Sequence, residues 1–134
     1  MEERKFAVAT ITDEIYRTEL RARNHDLVAD EPEEEGGKDL GPRPGDFYRM
    51  SLASCTAITL RMYANRKKFD VTKIEVTVAS EPGEGKTILY TDIEIIGDLD
   101  ETQRQRMLQI AKLCPVHKVL TNPIEINTNL VVRW

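Results

Sequence analysis

Two thiols carry most of the chemistry this sequence could do. Cys55 sits in Leu52-Ala-Ser-Cys-Thr-Ala and Cys114 in Leu113-Cys-Pro-Val-His. Two thiols that meet can run a dithiol–disulfide cycle: one is oxidised to a sulfenic acid and the other condenses with it. Local position ranks them. Cys114 stands directly before Pro115, where a fresh helix over Pro115 to Leu120 can start, so it reads as an N-cap. Free N–H groups and the positive dipole end there favour a thiolate over a thiol of pKa about 8.5. Cys55 lies mid-helix among apolar neighbours and gains acidity only if a cation folds beside it. For either residue the competing reading is a small packed core side chain. His117 makes a Cys-x-x-His with Cys114, but two ligands are half a zinc site, and a helix-surface histidine is the simpler reading. His25, at a strand start, has nothing to pair with in sequence.

The element that must hold Cys55 opens with Gly41-Pro-Arg-Pro-Gly-Asp and runs without a breaker to Asn65-Arg-Lys-Lys68. Asp46 suits its first turn and the closing cations suit its last. Phe47, Ser51, Ser54, Cys55, Ile58 and Met62 fall on one face, with Leu52, Thr59 and Tyr63 on another. No charge occurs from Met50 to Leu60, which predicts a helix buried around most of its circumference. A second long helix has Met107, Ile110, Ala111 and Cys114 on one stripe and Gln103, Arg104 and Arg106 toward solvent. Asp98 and Glu101 have the spacing of a capping box at its start. Both thiols lie on the apolar stripes of the two long helices, so a contact between them is expected once these pack on one sheet.

The strands follow from alternation. Lys5 to Thr12 and Ile15 to Arg23 read as a hairpin around Asp13-Glu14, with a third strand from His25 to Ala29. Asp30 to Asp39 is an acidic, breaker-rich stretch and reads as an exposed loop. Val71 to Ala79 and Thr87 to Ile96 form a second hairpin across Glu81-Pro-Gly-Glu-Gly, with Ile74, Val76 and Val78 inward and one wet face. Ile124, Ile126, Thr128, Leu130 and Val132 alternate through a last strand closing on Trp134. The order β-β-β-α-β-β-α-α-β is that of an α+β domain, with 134 residues forming one domain. Net charge -4 and a pI near 5.3 argue against nucleic-acid binding through a basic surface. No apolar run approaches the roughly 20 residues that span a bilayer, so no membrane partner is expected. The first residues lead into a strand pattern rather than a secretory signal, so a cytoplasmic location is expected.

Gly41-Pro-x-Pro-x-Asp-Phe, Leu52-Ala-Ser-Cys-Thr-Ala, Leu60-Arg-Met-Tyr-Ala-x-Arg-Lys and Cys114-Pro-Val-His-Lys-Val-Leu resemble the OsmC/Ohr family, the osmotically inducible and organic-hydroperoxide-resistance proteins. The resemblance runs over nearly the whole chain. It implies an OsmC-like fold, an antiparallel sheet wrapped around central helices in an intertwined homodimer, with active sites at the subunit interface. It also implies thiol peroxidase chemistry on organic hydroperoxides or hydrogen peroxide. Cys55 would be the peroxidatic nucleophile and Cys114 the resolving thiol. No bound cofactor is implied; turnover would use an external dithiol, the lipoyl type among the candidates. An arginine from the N-terminal strands would contact the nucleophile: Arg17, Arg21 and Arg23 all qualify, and offset from Gly36-Gly37 favours Arg17. Where peroxidase members carry a glutamate directly after the equivalent of Pro44, this chain has Gly45, with Asp46 one position on. Asp46 therefore either substitutes for that carboxylate or serves the helix start. The departure brings the chain nearer the broad OsmC-like branch and leaves a redox-sensing or binding protein as the alternative.

Overall fold

The computed structural model of the chain describes residues 4–132, which divide into two compact units at Arg49 and Met50. In the first, β1 (Val8–Ile11), β2 (Thr18–Ala22) and β3 (His25–Ala29) form an antiparallel sheet in the order β1-β2-β3. The expected Asp13-Glu14 turn is replaced by a wider connection over residues 12–17, since β1 and β2 close with Ile11 opposite Thr18. A two-residue hairpin turn needs a residue that tolerates positive φ, which Asp-Glu does not supply. The chain spreads the reversal instead and places Ile15 at φ 41. Consequently β2 starts at Thr18 rather than Ile15. Arg23-Asn24 is a tight turn, with Ala22 opposite His25 and Arg23 at φ 54.

The acidic stretch after β3 is exposed, as its composition predicts, but it is rooted in a buried carboxylate. Asp30 is 2% exposed. Its Oδ1 accepts the Glu31 N–H at 2.7 Å and its Oδ2 the Leu40 N–H at 3.1 Å. Its own N–H donates to the Pro42 carbonyl at 3.0 Å. Within the loop Glu33–Glu35 forms one 3₁₀ turn, and Gly37 lies so close to the returning chain that a Cβ would sit 2.0 Å from the Glu31 carbonyl oxygen. Burial pushes the Asp30 carboxyl up, but the N–H groups of Leu40, Glu31 and Lys38, with the Lys38 charge, more than reverse this and hold it below its ordinary 3.8.

Helix α1 (Pro44–Lys67) begins on a proline, whose missing N–H costs nothing in the first turn, and ends on Arg66 and Lys67. The second unit continues with β4 (Asp70–Gly83), β5 (Lys86–Asp98), α2 (Glu101–Ala111) and α3 (Pro115–Thr121). β4 and β5 pair along their whole lengths, with Ile74 opposite Ile95 and Val76 opposite Ile93, around a Glu84-Gly85 turn in which Gly85 takes φ 67. The core joins Leu60, Tyr63 and Ala64 of α1 to Leu99, Met107, Ile110 and Ala111, with Phe69, Val71, Ile74, Ile93 and Ile95 packed against it. The helix-start signal falls two residues later than the sequence suggests, because β5 runs on to Asp98. Asp100 Oδ1 accepts the Gln103 N–H at 2.8 Å, and Gln103 Oε1 accepts the Asp100 N–H at 2.9 Å.

Two expectations change. α1 is not buried around most of its circumference: its buried residues are Leu52, Thr56, Leu60, Tyr63 and Ala64, while Ile58 is 54% and Met62 67% exposed. The stripe through Ser51, Ser54, Ile58 and Met62 is thus the uncovered one. Residues 123–132 alternate as anticipated but belong to no strand ladder among the described residues, and Ile126 and Leu130 are exposed. Alternation favours an extended chain, but a strand also needs a neighbouring backbone to pair with. Trp134, where that strand was expected to close, lies outside the described residues.

A carboxyl whose folded pKa is lowered stabilises above its unfolded pKa and loses that contribution as pH falls through the folded value. Asp30→Ala should therefore lower the thermal midpoint at pH 7, and its gap to wild type should narrow as pH falls below about 4. Equal midpoints at neutral pH would remove Asp30 as the anchor of the loop.

Candidate functional site

The junction between α2 and α3 positions one thiol. α2 stops at Ala111, and Cys114 takes φ -64, ψ 141 as the N-cap of α3, with Pro115 in the first turn. Its Sγ accepts the His117 N–H at 3.2 Å. Cys114 is wholly buried, as its place on the apolar stripe predicts.

α1 supplies what packs on that sulfur. Cys55 neighbours Cys114 closely enough to push its thiol up, and Thr56 Oγ1 lies 3.8 Å from Cys114 Sγ. Thr56 is 2% exposed, and its Oγ1 also reaches the Leu52 carbonyl at 2.8 Å, one helical turn back. Cys55 itself is only partly buried. Residues 59 positions apart by number (114 − 55) thus form one cluster, Cys55, Thr56 and Cys114. Both cysteines are free thiols.

The expected acidity of Cys114 does not survive packing. Burial pushes its thiol up, the His117 N–H opposes this, the neighbouring Cys55 adds to the rise, and the Thr56 hydroxyl again opposes. The net direction is up, because one N–H and one distant hydroxyl replace less hydration than a wholly buried sulfur loses.

The charged candidates have partners of their own. Asp46 Oδ1 accepts from Arg49 Nη2 at 2.8 Å and its Oδ2 accepts the Arg43 N–H at 3.0 Å. These two interactions, the Arg49 bond first, hold the carboxyl below its ordinary value. Asp46 thus serves the helix start and an ion pair together. Arg17, just before β2, pairs with Glu19 at 3.1 Å, and Arg21 with Asp26 at 3.4 Å. Of the three candidate arginines only Arg21 lies in the strand, since Arg17 precedes it and Arg23 occupies the turn. His25 opens β3 opposite Ala22 and is exposed. His117 gives its backbone to Cys114, and the residue lines a groove of about 200 Å³ with Leu52, Leu89, Leu120, Thr87 and Thr91 among its walls. Among the described residues no group of three or more His, Cys, Asp or Glu could hold a metal ion.

Sequence reasoning missed Thr56 and Arg49. Thr56 could have been found from the four-residue spacing of Leu52, Thr56 and Leu60, all buried. Arg49 could have been found as an i, i+3 partner of Asp46.

The profile of the OsmC-like proteins matches residues 36–129. The fold is shared with several solved structures at low identity. One is described as an osmotic stress induced and detoxification response protein, from Psychrobacter arcticus, with TM-score 0.73 and 21% identity over 89% of this chain and 90% of that one. The OsmC-like protein of Mycoplasma pneumoniae has TM-score 0.72 and 20% identity over 90% and 89%. The organic hydroperoxide resistance protein OsmC of Legionella pneumophila has TM-score 0.62 and 20% identity over 89% and 90%. No curated protein gives a significant match.

Exposure and packing should separate the two sulfurs. At pH 7.5 iodoacetamide should label Cys55 in the folded protein well before Cys114, and guanidinium should abolish the difference. Peptide mass mapping over time reads this, and equal labelling in the native state would contradict the packing at Cys114.

Proposed function

The chain belongs to the OsmC-like family, and from that premise we propose that it is a thiol-dependent peroxidase working through a Cys55–Cys114 dithiol–disulfide cycle. The observation that carries this reading is that α1 packs on Cys114 at Thr56, next to Cys55, with Cys55 partly open and Cys114 wholly buried. The Cys55 thiolate attacks the distal oxygen of a hydroperoxide; the O–O bond breaks, an alcohol or water leaves, and Cys55 becomes a sulfenic acid. Cys114 then displaces that oxygen as water to form the disulfide, and an external dithiol restores both thiols. The name of the Legionella structure, an organic hydroperoxide resistance protein, supports an organic hydroperoxide as substrate. Arg17 is the favoured cation for Cys55, and the Asp46–Arg49 pair orders the start of the helix that carries it.

Uncovered apolar surface supports a homodimer. The β1–β3 sheet leaves a groove of about 270 Å³ lined by Val8, Leu20, Leu27 and Phe47, and α1 leaves Ile58 and Met62 open. The alternating segment 123–132 has no strand to pair with among the described residues, so a second subunit gives it an edge to join. The alternative function is redox sensing with little turnover. It is favoured by Gly45 standing where peroxidase members carry glutamate, with the next carboxylate, Asp46, already committed to Arg49.

With dithiol present, Cys55→Ser should abolish consumption of cumene hydroperoxide, and Cys114→Ser should let a sulfenic acid accumulate at Cys55. A wild type that forms the disulfide once but does not turn over indicates the sensor. Light scattering at micromolar concentration should give about twice the 15.3 kDa chain mass, and a monomer would remove the dimer.

A further inference from the structure

Thr56 carries one hydroxyl proton between two acceptors. Its Oγ1 stands 2.8 Å from the Leu52 carbonyl and 3.8 Å from Cys114 Sγ, so the proton can serve only one of them at a time. With the proton on Leu52, the hydroxyl oxygen turns a lone pair toward Cys114 and accepts from its S–H. With the proton on sulfur, it stabilises a thiolate. Rotation between the two states strands nothing, because Leu52 still accepts the backbone N–H of Thr56 within α1. No other side-chain hydroxyl is found to hydrogen-bond Cys114 among the described residues.

We infer that Thr56 is the positioning residue for the resolving step, a two-way hydroxyl that holds the Cys114 thiol at rest and donates to its sulfur as negative charge builds there. This rests on the peroxidase reading and adds to it. Before the step Cys114 gives up its proton, and Thr56 donates to the thiolate that forms. The thiolate attacks the sulfur of Cys55 sulfenic acid, the S–S bond forms and the S–O bond breaks, and the departing hydroxide takes up a proton in place of the one Cys114 released and leaves as water, so atoms and electrons balance. Among the described residues the groups found acting on the Cys114 sulfur are Cys55 from α1, the His117 N–H from α3 and the Thr56 hydroxyl.

Stopped-flow oxidation of the full-length reduced protein separates sulfenic acid formation from disulfide formation. Thr56→Val keeps shape and removes the hydroxyl. The ratio of the second rate to the first should fall about tenfold, and its rise with pH should move to higher pH. Thr56→Ser should restore both. An unchanged ratio in Thr56→Val overturns the assignment. So does a Thr56→Ser variant as slow as Thr56→Val, since that would make the methyl group and packing responsible. If wild-type Cys55 forms no sulfenic acid with cumene hydroperoxide, the peroxidase reading falls first and this one with it.

Discussion

The site depends on where one sulfur is put. Cys114 is both the cap of α3 and part of a packed interior, and these two roles pull its chemistry in opposite directions. As a cap it accepts an N–H that favours the anion; as a buried group it loses the water that would favour it more. The second effect is larger here. Pro115 makes the arrangement obligatory, since it cannot extend α2 and is well placed to open a new helix one residue after the thiol.

That constraint reaches back through the second unit. Cys114 can meet α1 only because α2 is laid against the same apolar cluster as Leu60 and Tyr63, and α2 is held there by Met107, Ile110 and Ala111 over the inward row of the β4–β5 hairpin. The hairpin register, Ile74 on Ile95 and Val76 on Ile93, supplies a continuous apolar floor. A slip of one residue would send those side chains to solvent and leave nothing for the helices to cover.

Much of this was legible in the residues. The hairpin declared itself by strict alternation, Pro115 marked the helix break, and Cys114 followed from it as a cap. The turn after β1 and the start of α2 were misjudged by a few residues because several polar side chains could have served, and strand length decided among them. The exposed face of α1 was misread for a different reason. A stretch such as Ser-Leu-Ala-Ser-Cys-Thr-Ala-Ile has no charged residue to mark its outside, so composition cannot orient it. Its orientation is set by β4, β5 and α2, which lie later in the chain. Thr56 escaped notice on the same ground, being one small side chain among many. The lowered acidity of Cys114 was invisible because a cap motif reports local geometry and says nothing of the depth at which it is folded.

The unequal burial of the two sulfurs has a bearing on wear. A thiol with no accessible surface is sheltered from the successive additions of oxygen that end in sulfinic and sulfonic acids, whereas a partly open one is not. Of the two thiols, Cys55 is therefore the one open to irreversible damage. On the proposed cycle, the working lifetime of each molecule would depend on how quickly its sheltered neighbour closes over that sulfur.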